Sequence, residues 1–253
     1  MKTVQSIERA LDVLLVFTHQ EPELGIVEIC RRLGLSKGTG HRLVYTLMSR
    51  GFLSQNKQNG KYTLGPKAFE LGSLAMSQME IRKVAHPFLE DLTRLTGETT
   101  HLVIQESMEV LYLDKVDSPR AIRMSSFIGQ RMPLHCTAVG KVLLSELPEE
   151  EVRSICRIKG MKQATARTIT SVEQLLVELQ KVAEQGYALD DEENEVGLRC
   201  IAAPVRDYSQ KIIAAISVSA PVMRMNGEMV PKVAEMVKET ANKISYQMGF
   251  RRT

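Results

Sequence analysis

A stop for one helix and a start for the next stand two residues apart, at Gly34 and Ser36. Before the stop, Ile26, Ile29, Cys30 and Leu33 recur at helical spacing, and glycine is the residue type that ends such a run. After it, Ser36 is a favoured N-cap, and Gly40, Leu43, Val44 and Leu47 share one face of the helix it opens. So short a link makes the two helices a helix-turn-helix pair. An earlier pattern, Val4, Ile7, Leu11 and Leu14, recurs at helical spacing and predicts a first amphipathic helix with that face apolar. Beyond Gly51, the short runs 52–55 and 61–64 flank Asn59-Gly60, a hairpin signal. Three helices and a hairpin over residues 1–65 read as a winged helix-turn-helix. Its third helix would enter the major groove of double-stranded DNA by its N-terminal residues.

Charge supports that reading. Residues 1–65 carry nine Lys/Arg against five Asp/Glu, and the remainder 24 against 25. From Ile29 to Phe69 there are eight Lys/Arg and no acid, a footprint suited to phosphates. Ser36, Lys37, Thr39, His41 and Arg42 populate the start of the third helix, and Lys57 and Lys61 the wing; these are the expected DNA contacts. Two glycines weaken that start by ~1 kcal/mol each against alanine. Gly40 falls on the core face, where it permits close packing. Gly38 falls on the outer face, where bare backbone can approach a phosphate. A Walker loop is excluded, because neither Gly40-His41 nor Gly140-Lys141-Val142 supplies the required GK[ST].

The 253 residues suffice for a second unit. Residues 66–80 predict a connecting helix, and 81–95 another, kinked or interrupted at Pro87. Strands are expected at 99–105, 110–116, 121–126, 198–205 and 212–220, and helices at 138–147, 149–158, 171–186 and 226–248. This is α+β, an antiparallel sheet flanked by helices. The four cysteines are scattered with no CxxC pair, so neither a disulfide framework nor a zinc ribbon is expected. Glu8 and Asp12 interrupt the first apolar pattern, unlike a signal peptide, and no run reaches the ~20 apolar residues of a membrane span. A cytoplasmic protein is expected, with no membrane association, metal or cofactor.

The stretches "SIERALDVL", "SKGTGHRLVYTL" and "GKYTLG", then "PLHCTAVGKVLL", "RTITS", "GYALDDEENEVGLRCIAAPV" and "AAISVSAP", together resemble the IclR family of bacterial transcription regulators. The resemblance implies a winged helix-turn-helix (1–65), a linker helix (66–80) and a GAF-like effector-binding domain (81–253), acting as homodimers or dimers of dimers, without enzymatic activity. Members often carry larger residues where this chain has Gly38 and Gly40. The family's effector pocket maps onto Met124, Leu134, Ala138, Val139, Asp190, Cys200, Ser217 and Ser219. The chemistry suits a small carboxylate. Thr137 can cap a helix whose first N–H groups, at Ala138 and Val139, attract an anion. Ser217 and Ser219 alternate with Ile216 and Val218, so both hydroxyls face one side of a strand, while Cys200 alternates with Ile201 on a neighbour. Asp190 opens the acidic loop 190–193 and can accept from ligand hydroxyls. Met124 and Leu134 would form apolar wall.

"MKQATARTITSVEQLL", "ENEVGLRCIAAPV" and "NKISYQMGF" look most like the branch that answers to 2-keto-3-deoxygluconate, from pectin and uronate breakdown. Such members repress sugar-acid catabolic genes and leave DNA on binding the ligand. The alternatives are a regulator sensing another small carboxylate and a redox sensor using Cys200, with or without Cys136.

Overall fold

The computed structural model describes residues 3–251. The chain divides into two compact units at Met79/Glu80.

In the first unit, helices α1 (Gln5–Leu15), α2 (Ile26–Arg32) and α3 (Lys37–Ser49) precede strands β1 (Leu53–Gln55) and β2 (Tyr62–Leu64) and helix α4 (Pro66–Gln78). The strands pair antiparallel, with Leu53 opposite Leu64. Val13, Ile29, Val44, Leu53 and Tyr62 form the core with Leu24, whose backbone bridges to Tyr62. Gly40 is buried against α2, where a Cβ would lie 2.2 Å from the Cys30 sulfur. Cys30 is therefore core, and the close packing expected of Gly40 is present.

The first helix corrects the sequence reading. Val4, Ile7 and Leu11 are 58%, 58% and 53% exposed, and Val13 is the buried residue, with Leu14 half-buried. The helix carries two apolar stripes, and periodicity alone does not say which one meets the core. Ala10, Val13, Leu14 and Phe17 turn inward together, leaving the other stripe to solvent.

The second unit is built on a six-stranded antiparallel sheet of order β5-β4-β3-β8-β7-β6. Its strands are β3 (Thr99–Glu106), β4 (Glu109–Val116), β5 (Arg131–Met132), β6 (Ala188–Asp191), β7 (Leu198–Arg206) and β8 (Ile212–Pro221). Helices α5 (Glu80–Thr96) and α9 (Met229–Gln247) cover one face, and α6 (Ala138–Leu144), α7 (Glu149–Lys159) and α8 (Val172–Gln185) the other. Helix α5 runs through Pro87 without a break.

Two strand expectations change. Residues 121–126 alternate like a strand but join no ladder, because side chains take their carbonyls: Arg224 donates to Ile122 O (2.8 Å) and Lys115 to Ser126 O (2.6 Å). Arg131–Met132 pairs with β4 instead. Conversely, the acidic run read as a loop begins inside a strand, with Asp190 opposite Cys200 in the β6–β7 ladder. Four residues ending in two aspartates carry too little alternation to announce a strand.

Candidate functional site

On the first unit, Ser36 caps α3 as expected, its hydroxyl accepting from Thr39 N–H (3.3 Å) and donating to the Thr39 hydroxyl (3.0 Å). Those two hydroxyls are engaged with each other at the helix start. Lys37, His41 and Arg42 are exposed around Gly38, where nothing lies within 4 Å of a Cβ position. Tyr45 is 68% exposed on the same face, one turn beyond His41, and was not singled out from the sequence although its spacing places it there.

The acid-free run is less uniform in space than in sequence. Arg32 is held by Glu21 and Glu28, Arg31 by Glu28, and Lys67 by Glu70. Among the described residues, Lys37, Arg42, Arg50, Lys57 and Lys61 form no ion pair, so these cations stay available to phosphates.

In the second unit, strand register assembles the pocket. Asp190 on β6, Cys200 on β7 and Ser219 on β8 stand abreast, with Thr99 of β3 beyond them. Ser217, two residues from Ser219 on the same face, lies opposite His101. Seven of the eight expected effector residues, Met124, Ala138, Val139, Asp190, Cys200, Ser217 and Ser219, line one tight cavity of about 10 Å³. Tyr112, Thr137 and Asn194 complete it.

Leu134 does not line that cavity. It is buried, and its main chain backs against α6, where a Cβ on Gly140 would lie 2.2 Å from the Leu134 carbonyl oxygen. It borders a separate crevice with His135 and Cys156. Leu134 thus presses the helix start into place from behind. Thr137 caps that start, accepting from Gly140 N–H (3.1 Å) and donating to Pro133 O (2.8 Å).

Asp190 is not the exposed acid that a DDEE run suggests. It is 2% exposed, and its Oδ1 accepts from the N–H groups of Glu193 (2.8 Å) and Asn194 (3.3 Å). Burial, against the help of those N–H groups, pushes its carboxyl up to about 7. Behind it, Lys141 is wholly buried and donates to Leu189 O and Glu193 Oε1, both at 2.5 Å. The other Glu193 oxygen is buried without a hydrogen-bond partner.

His101 extends the site. Its Nε2 is 2.8 Å from the Ser126 hydroxyl and its Nδ1 3.4 Å from that of Ser217, and its ring meets Tyr112 edge to face at 4.9 Å. Burial pushes it down to about 3, so the imidazole is neutral and one nitrogen donates while the other accepts. Cys200 and Cys136, the cysteines of the redox alternative, are both buried. Burial raises Cys200 well above the ordinary thiol range and Cys136 to about 12, which suppresses the reactive thiolate.

Larger grooves lack this convergence. The one between α8, β7 and α9 includes Arg206 and Lys238, already paired with Glu146 and Glu235.

A winged helix-turn-helix followed by an α+β unit enclosing a polar cavity is the plan of a DNA-binding transcription regulator. The chain belongs to the IclR family: residues 6–57 match the IclR helix-turn-helix domain and 73–246 the bacterial transcriptional regulator IclR C-terminal domain. It is 40% identical over 250 residues to the HTH-type transcriptional regulator XynR of Escherichia coli K12, covering 99% of each chain. It is also 40% identical over 248 residues to KdgR of the same organism, covering 98% of this chain and 94% of that one. A crystal structure of an IclR homolog complexed with 4-hydroxybenzoate, from Microbacterium hydrocarbonoxydans, superposes with TM-score 0.85 at 28% identity, over 96% of this chain and 98% of that one. Among the described residues, no helix is long and apolar enough to cross a membrane.

Proposed function

We propose that the protein is a homodimeric or tetrameric repressor of sugar-acid catabolic genes, released from its operator when a small hydroxylated keto acid fills the cavity of the second unit. The observation that carries this reading is the meeting of Asp190, Cys200, Ser217 and Ser219 with the start of α6 around one enclosed space. The N–H groups of Ala138 and Val139 belong to the set that an α-helix leaves without internal partners, and they suit a carboxylate. The two serine hydroxyls and the Cys200 thiol hold carboxylate or keto oxygens, and Asp190 the hydroxyl end. The resemblance to the 2-keto-3-deoxygluconate branch, and the 40% identity to KdgR, support that acid as effector. The complex of a relative with 4-hydroxybenzoate, itself a small carboxylate, supports the chemical class.

As it stands the cavity, about 10 Å³, has room for little more than one water, far below the ~300 Å³ at which ligand sites begin. A six-carbon acid must widen it, and only a ligand that prefers one arrangement of the protein shifts the balance. A preference of ~3 kcal/mol changes the DNA-competent population about a hundredfold. The test is operator binding titrated with 2-keto-3-deoxygluconate, beside pyruvate, glyoxylate and 4-hydroxybenzoate. The sugar acid should release the parent protein but not Asp190→Ala, nor a chain with both Ser217 and Ser219 changed to alanine. Release undiminished by these changes refutes the pocket; release by a different acid replaces the effector.

A further inference from the structure

We infer that the cavity takes up its anionic effector together with a proton, which settles on Asp190 and makes that residue a hydrogen-bond donor to the ligand. The inference rests on the effector reading above and changes the role of one residue in it.

Charge inside the cavity is the starting point. Among the described residues that line it, Asp190 is the one acid, and no Lys or Arg takes part. An effector carboxylate would therefore enter a space whose single formal charge has its own sign. An effector that opens this tight cavity, about 10 Å³ as it stands, would place the two charges within a few ångströms of each other in poorly screening surroundings. Two carboxylates sharing such a site drive one of them to the neutral form.

The neighbours decide which. Facing Asp190 are the Cys200 thiol on β7, the Tyr112 hydroxyl on β4 and the Cys136 thiol ahead of α6; burial raises all three, so each is neutral and none supplies a counter-charge. His101 on β3 is neutral as well. The nearby cation, Lys141 on α6, is bonded to Glu193 and lies 3.9 Å from Glu178 of α8. Lys141 favours the charged form of both carboxyls against their burial, but it bonds Glu193 directly and acts on Asp190 only through space, where the hydrogen bonds come from two backbone N–H groups. Both of those donate to Oδ1, so Oδ2 is the oxygen left to carry a proton. The proton comes from the buffer acid; Oδ2 gains it, and the new O–H donates to an effector oxygen. Burial already holds this carboxyl at about 7 before any ligand arrives, which places the exchange in the neutral range.

Calorimetric titration of the full chain tests this, using 2-keto-3-deoxygluconate, pyruvate, glyoxylate and 4-hydroxybenzoate. Measurements at about pH 6 and about pH 8.5, each in two buffers of different ionisation heat, separate affinity from proton uptake. For the acid that binds, the dissociation constant should rise about thirtyfold between the two pH values, since one proton must be captured above pH about 7. Uptake should approach one proton at the higher pH and fall toward zero at the lower. Asp190→Asn, which keeps an acceptor for the Glu193 and Asn194 N–H groups and supplies a permanent donor, should bind that acid equally at both pH values with no uptake. An acid that binds the parent with the same affinity at both pH values and the same heat in both buffers overturns the proton coupling while leaving the pocket standing. Binding of none of the four acids at either pH overturns the effector reading, and the coupling with it.

Discussion

A methyl group added at Gly40 would overlap the Cys30 sulfur, 2.2 Å away, in the seam between α2 and α3. Gly40→Ala should lower stability by about 1–3 kcal/mol through overpacking, read from denaturant melts. Adding Cys30→Ala to the same chain should recover part of that loss, because the clash is with one sulfur. Gly38→Ala meets nothing and should gain up to ~1 kcal/mol of helix stability. Asp190 yields a pH prediction of definite sign. Its native carboxyl sits near 7 against an ordinary 3.8, so its contribution to stability is fully present below pH about 4 and is lost as pH rises through about 7. Asp190→Asn escapes that loss: its stability relative to the parent should increase from pH about 4 to about 7.5 and then level off. At this scale the sequence was legible where spacing is local. The Ser36 cap, the serine pair of β8 and the Gly40 contact all follow from neighbours within one element or one turn. Tyr112 and His101 escaped because strand pairing brings them to the site from distant parts of the chain, and Asn194 because it lies in an irregular loop after β6 that folds back onto Asp190. One signal was available: a histidine in the otherwise uncharged run "TTHLVI" marks a polar group in need of a partner.

Helix α3 shows how an element is tuned by what is left unpaired on and around it. Among the described residues, Arg42 and Lys37 of its first turns form no ion pair, whereas Arg32 on α2 is clamped by Glu21 and Glu28. Arg42→Ala and Lys37→Ala should each weaken operator binding, and each should lower the salt dependence by about one unit of slope if a phosphate is lost. Arg32→Ala should leave that slope nearly unchanged, although it removes the same formal charge. Fluorescence anisotropy across a salt series separates the two cases, and equal slopes for all three would move the DNA contact away from this helix. Strong local signals drew the element borders well: α3, α7, α8 and the long strands fall close to where caps and periodicity place them. Failures occurred where local pattern was ambiguous. Residues 121–126 alternate, yet distant Arg224 and Lys115 satisfy their carbonyls. The β6 strand is too short to show a period and depends on β7 for its existence.

The proposed assembly directs attention to the outer face of α1, which holds three of the four residues, Val4, Ile7 and Leu11, in the apolar pattern read from the sequence. Val4, Ile7, Leu11 and Leu15 lie along the outside of α1, 53% to 76% exposed. Phe69 and Leu74 of α4, in the same unit, are 78% and 56% exposed. So much exposed apolar surface on one small unit is what the proposed dimer would use as its association face. A second copy fits the proposed repressor, because a dimer presents two reading helices to half-sites one DNA turn, ~34 Å, apart. Packing separates this role from folding: Val13, at the opposite side of α1, holds the helix to its core. Replacing Ile7 and Leu11 together by glutamate should therefore leave the melting of the first unit close to that of the parent. Sedimentation should show a smaller assembly. Operator affinity should drop further than for Arg42→Ala, since a lone chain keeps one half-site's contacts. Effector binding should persist, because the cavity lies wholly within residues 80–253. If the doubly substituted chain sediments like the parent and grips the operator equally well, the association face is not α1, and the outward stripe needs another partner.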